Sequence, residues 1–344
     1  MPTPETDSPE PDTYWSQFLS VTCNEENIGH VLHSAGDMVS VSRENLEAVT
    51  RFDVFTSHTL DAPLPRHILR THGVSLSFKA PHLMHAVIAC SISHLLHVAP
   101  SYVPNVPAEY HWNRSISLFN KELNGPIDST NIDAVLCTCM LPTTHAFTNG
   151  VDPNDTETWI FSPPGKSSNW LYVGGGLSAI CQRAESDGHH SIWAPVFKLS
   201  DEFYRNAEFQ IEDIPPAFRD LCGIGQTSDS SNNPYYFPLR TLSVLMRLEP
   251  SAANLSKLVI FFGQMLTGYC NLIQKKKPRA LLILAYWFGL MCSADQWWIQ
   301  DRVRSECRAI CKHLEGNYAD PCIAELLAFP ALACGHATST QTLL

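Results

Sequence analysis

Apolar positions recur at three- and four-residue intervals along most of this chain, and no segment alternates strictly enough to read as a half-buried strand. The densest region runs from Phe262 to Glu315, where three helical patterns follow one another with short breaks. Leu266, Tyr269, Cys270 and Ile273 mark the first. Lys275, Lys276 and Lys277 fall at its carboxyl end, where unpaired carbonyls favour cations. Pro278 closes that helix and opens the next, in which Arg279 to Cys292 is apolar nearly all round, as in a helix buried on every side. Ser293, Ala294 and Asp295 interrupt the pattern. Trp297, Trp298, Val303, Cys307, Ile310, Cys311 and Leu314 then predict a third helix starting at the tryptophan pair. The pattern makes this stretch the body onto which the rest of the chain packs.

Upstream, Ser42 is placed to cap a helix carrying Leu46, Val49, Phe52 and Phe55 on one face. Pro81 suits the first turn of a mostly apolar helix through Leu95, and Pro107 opens another that Asn124-Gly125 ends. Thr130 and Asp133 have the spacing of a capping box before Ala134 to Leu141. Thr148 to Ser168 is dense in turn formers and reads as a surface loop. Trp193 to Phe209, Pro215 to Cys222, Pro234 to Leu248 and Ala324 to Phe329 supply further helical patterns. The fold class expected is all-α: a flexible segment 1–41, a helical body 42–330 and a tail 331–344. Met1 to Thr13, rich in proline and acid, is expected to be disordered.

Composition sharpens this picture. Across 344 residues, 44% are hydrophobic and only 17% charged, so a large apolar interior is covered by little charge. The formal net charge of −11 offers no cationic footprint for duplex DNA beyond the three lysines at 275–277. No run is long and apolar enough to span a bilayer. The 12 cysteines lie largely in apolar helical patterns, which favours a reducing compartment and thiols used as core fillers.

Several runs, in order, carry a resemblance: LEAVTRFDVFTSHTL at Leu46 to Leu60, LMHAVIACSISHLLHVAPS at Leu83 to Ser101, HWNRSISLFNKEL at His111 to Leu123, then PRALLILAYWFGL from Pro278 and the pair Trp297-Trp298. They resemble the C-terminal regulatory domain of fungal binuclear-zinc-cluster transcription factors, most nearly the sterol-uptake-control type. In that family a DNA-binding module with six closely spaced cysteines precedes the domain. Here the early cysteine is Cys23 and no CxxC occurs, so the expectation is a domain lacking that module. The resemblance implies an all-helical fold, nuclear activity (the cytoplasm being the alternative), and an apolar pocket for a sterol-like ligand. It also implies homodimers or heterodimers with related zinc-cluster regulators.

The candidate chemistry is sparse. There is no G-x-S-x-G elbow, H-E-x-x-H pair, Walker loop or aspartate-rich diphosphate motif. His82, His85, His94 and His97 punctuate one helix at spacings that can ligate a metal, but no carboxylate or cysteine shares their face, and His94 matches a histidine of the resembled family. No metal and no cofactor are expected. Gly174, Gly175 and Gly176 lack the preceding strand of a phosphate loop and instead fit close backbone approach to a ligand. The expected ligand site therefore joins Trp170 and Gly174 to Gly176 with Trp287, Met291 and Trp298, around an apolar sterol- or terpenoid-like molecule. The alternative function is a fold of this type recruited as a cyclase on such a molecule.

Overall fold

A computed structural model describes residues 42–60, 63–148, 158–161, 180, 191–249, 251, 254–263 and 267–336, and among these it contains helices and turns but no strand. The expectation for the N-terminal segment lies outside the described residues. In chain order the helices are α1 (Arg43–Arg51), α2 (Pro63–Ile68), α3 (Pro81–Val98), α4 (Ala108–Leu123), α5 (Ile132–Thr148), α6 (Ala194–Asn206), α7 (Pro216–Cys222), α8 (Tyr236–Leu245), α9 (Leu255–Gly263), α10 (Thr267–Gln274), α11 (Pro278–Met291), α12 (Gln300–Asn317) and α13 (Pro321–Cys334). None of the described helices is long and apolar enough to cross a membrane.

Two apolar helices centre the packing rather than one. α3, with Pro81 in its first turn, is buried without interruption from His82 to Ile92 and packs on α1, α4 and α5. α11, also started by a proline, is buried from Ala280 to Gly289 and packs on α8, α9, α10, α12 and α13. Helices apolar all round belong inside a layered body, where each Leu or Ile buried contributes about 1.5–3 kcal/mol of hydrophobic stabilisation. The two halves meet where α12 lies against α5 and where Trp297 reaches back to donate to Thr59 Oγ1 at 3.0 Å.

Local signals explain many boundaries. Ser42 Oγ accepts from the Asn45 amide at 3.1 Å, as its position predicts. α10 ends with Lys276 in the left-handed region (φ 53°), its amide donating to the Ile273 carbonyl and that of Lys277 to Leu272. This is the Schellman arrangement, and it turns the chain directly into Pro278. α13 closes the same way around Gly335 (φ 72°), with the His336 amide donating to the Ala331 carbonyl at 2.8 Å.

Four sequence expectations are corrected. Leu46 and Phe55 are 52% and 62% exposed while Val49 and Phe52 are buried; at Phe55 the cause is the π-helical turn at Phe52–Thr56, where the apolar stripe loses its 3.6-residue register. Asp133 does not form a capping box with Thr130; it accepts from Ser191 Oγ at 2.7 Å and the Ile192 amide at 3.0 Å, 58 and 59 residues away. Asp128 instead orders the start of α5, accepting from the amide and hydroxyl of Thr130. Trp297 and Trp298 lie in the turn before α12, which begins at Gln300, so the turn and not a shared helix face sets their directions. The last apolar helix runs past Phe329 through Pro330 to Cys334, with Asp320 capping it through the Cys322 amide.

Candidate functional site

Trp170 and Gly174 to Gly176 lie outside the described residues. The other three predicted positions are all buried: Trp287 and Met291 fully, Trp298 nearly so. α11 and α12 do pack back on one another across the Ser293–Asp295 break. Trp287 stacks on Phe261 of α9 (centroids 5.4 Å apart, 21° between planes) and its indole nitrogen donates to the Leu258 carbonyl at 2.8 Å. Its polar group is therefore satisfied by the protein. Trp298 turns the other way, edge-on to Phe147 of α5 at 5.8 Å, and its Nε1–H has no acceptor among the described residues. A buried indole N–H without a partner costs about 1–3 kcal/mol, so Trp298 is the position of the three with a hydrogen bond still to offer.

Glycine does permit close approach in this region, but at Gly289. A Cβ placed there would sit 2.9 Å from Phe329 and 3.3 Å from the Pro330 backbone, so α11 and α13 touch there because nothing projects between them.

The histidines of α3 form buried hydrogen bonds. His82 Nδ1 pairs with Thr138 Oγ1 at 2.7 Å, His85 Nδ1 with His111 Nδ1 at 3.0 Å, and His94 Nδ1 with Thr56 Oγ1 at 3.1 Å. His97 and His94 both lie against the Trp297 ring. Each of His82, His85 and His94 has a different partner, so the helix spreads them among three neighbours rather than gathering them about one point. Burial lowers His82 and His111 to about 4 and His85 to about 3, with the His111 and Arg114 charges adding to the effect at His85. Burial alone lowers His145, stacked on Trp112, to about 3. All four are neutral at physiological pH. His111 and His145 were not singled out by the sequence, since neither shares the α3 spacing.

A second polar group, also missed, is Glu306. Fully buried on α12, it accepts from the Trp159 amide at 2.6 Å and the Ile160 amide at 3.3 Å, and pairs with Arg302 one turn earlier at 3.3 Å. Arg302 in turn lies over the Trp159 ring at 4.7 Å. Burial pushes the Glu306 carboxyl up to about 7 against the pull of these donors. The arrangement pins residues 158–161 to α12; its partners are internal, and nothing about it points to substrate.

Cys137 and Cys139 are buried fillers, as their spacing implies. The cysteines of α12, by contrast, converge with one that reads as tail: the Sγ atoms of Cys307, Cys311 and Cys334 lie within 4.8 Å of one another, all buried. The signal available in the sequence was the one-turn spacing of Cys307 and Cys311.

No protein-family model matches the chain. A "Zn(2)-C6 fungal-type transcription factor" of Gibberella zeae is 24% identical to it over 245 residues, covering 65% of this chain and 48% of the relative. The chain thus spans about half the length of that curated relative.

Proposed function

We propose that this chain is a ligand-sensing regulatory domain of fungal transcription control, acting in the nucleus. The observation that carries the reading is the alignment over 245 residues with a fungal Zn(2)-C6 transcription factor. An all-helical body with two fully apolar central helices supports it, as does a net charge of −11, which is unfavourable for direct contact with the DNA backbone. The partner class is a second copy or a related zinc-cluster regulator.

The ligand class is apolar and carries at least one hydrogen-bond acceptor, as a sterol or oxygenated terpenoid does. Its polar anchor in this reading is the Nε1–H of Trp298, which has no acceptor among the described residues, with the Phe147 ring edge-on to it as apolar wall. A hydroxyl or ketone oxygen accepting from Trp298 relieves the cost of that buried donor, so an oxygenated ligand is favoured over a plain hydrocarbon.

The test has two arms. Native mass spectrometry of the purified chain is expected to show a bound apolar molecule, and fusion of the chain to a heterologous DNA-binding module is expected to give reporter output that changes with a sterol or terpenoid panel. No bound molecule together with an unresponsive reporter overturns the ligand-sensing reading. Turnover of a terpenoid by the purified chain replaces it with the cyclase alternative.

A further inference from the structure

We infer that Cys307, Cys311 and Cys334 form a buried binding site for a thiophilic d10 metal ion, zinc or cuprous copper. Cys307 and Cys311 stand one turn apart on α12, so their thiols project from the same face. Cys334 is the last residue of α13, and the Gly335 turn that follows fixes the end of that helix against α12. Three sulfurs within 4.8 Å approach what a single ion requires: zinc–sulfur bonds of roughly 2.3 Å in tetrahedral geometry set sulfurs about 3.8 Å apart. A fourth cysteine adjoins them. Cys292, at the end of α11 and also buried, has its thiol beside that of Cys307.

Core cysteines usually pack as small hydrophobes, each among its own carbon neighbours. Here three sulfurs lie within 4.8 Å of one another, with Cys307 also donating to the Ala285 and Pro330 carbonyls and Cys334 to that of Ala331. Arg308 of α12 donates to the Cys334 carbonyl at 3.2 Å, which ties the end of α13 to α12. Thiol sulfurs bind a metal as thiolates, so a bound cation would release their protons to solvent. Thiolate sulfur in an apolar pocket selects soft metals over magnesium or calcium. The inferred site is separate from the six-cysteine spacing of zinc-cluster DNA-binding modules and does not depend on the proposed ligand.

The full chain is purified under reducing conditions without chelator, and zinc and copper per chain are measured by elemental analysis, which also tells the two ions apart. The metal-free chain is then titrated with cobalt(II) as a spectroscopic probe. The expected result is one thiophilic ion per chain, a sulfur-to-cobalt charge-transfer band that saturates at one equivalent, and a thermal midpoint raised by zinc but not by magnesium. Cys311→Ser and Cys334→Ser are each expected to abolish the band or weaken cobalt binding at least tenfold; Cys137→Ser, altering a buried thiol elsewhere, is expected to keep it. Should a serine variant fail to fold, the wild-type titration and thiol counting with and without zinc decide: three or more thiols become unreactive if the site exists. A chain isolated free of metal with no cobalt–thiolate band overturns the inference, as does a Cys307–Cys311 disulfide recovered from reduced preparations.

Discussion

The Nδ1 atoms of His85 and His111 lie 3.0 Å apart with both rings buried, so one of the two must donate and the other must be neutral to accept. His111 Nε2 has no partner among the described residues. Placing the shared proton on His111 Nδ1 leaves Nε2 a bare lone pair instead of an orphaned N–H, which is the less costly arrangement.

That pairing fixes a pH response. His82, His85, His111 and His145 are lowered by burial to about 3–4, below their ordinary value of 6.5. Below pH 6.5 the unfolded chain takes up protons that the folded chain refuses, so stability falls as pH drops from about 6.5 toward 4. At pH 5 each such histidine removes on the order of 1–2 kcal/mol. Urea midpoints measured from pH 7.5 to 5 are expected to drop steadily; a flat profile would show that these rings are hydrated in solution.

Glu306 works in the opposite sense over part of that range. Its carboxyl is raised to about 7, so the folded chain holds a proton that the unfolded chain releases, and stability from this group declines as pH rises from about 4.5 to 7. Glu306→Gln removes that component, and the variant's stability is expected to rise more steeply with pH between 5 and 7 than the parent's. Glu306→Ala strips the Trp159 and Ile160 amides of their acceptor and is expected to cost about 3–5 kcal/mol. Equal slopes in the parent and the Gln variant would remove Glu306 as a titrating group.

Trp298 separates ligand binding from packing. Trp298→Phe keeps an aromatic ring against Phe147 and deletes an N–H that has no acceptor among the described residues, so stability is expected to hold or to gain about 1 kcal/mol. Affinity for an oxygenated apolar ligand is expected to fall severalfold. Trp298→Ala is expected to cost about 3–5 kcal/mol through the cavity alone. A Phe variant that binds such a ligand with unchanged affinity excludes the indole as its anchor.

Gly289→Ala tests the close approach of α11 and α13. The added methyl meets the Phe329 ring at 2.9 Å and the Pro330 backbone at 3.3 Å, and the expected loss is about 1–3 kcal/mol in denaturant unfolding. Phe329→Ala in the same background is expected to restore part of that loss. Failure to do so would place the strain on the Pro330 backbone instead.

The sequence determined the element types and many of their limits, because these depend on neighbours within a few residues. Pro81 and Pro278 sit in the first turns of α3 and α11, Ser42 caps α1, and the continuous apolar character of Arg279 to Cys292 implies the burial found from Ala280 onward. Periodicity says which face is buried but not what it is buried against. The partners of Asp133, Glu306 and Trp297 lie 58, 147 and 238 residues away in the chain. Those pairings are decided by how whole helices cross and by where turns such as Gln296–Ile299 aim their side chains. The convergence of Cys307, Cys311 and Cys334 is of the same kind: one turn of helix supplies two of the thiols, and only the docking of α13 onto α12 supplies the third.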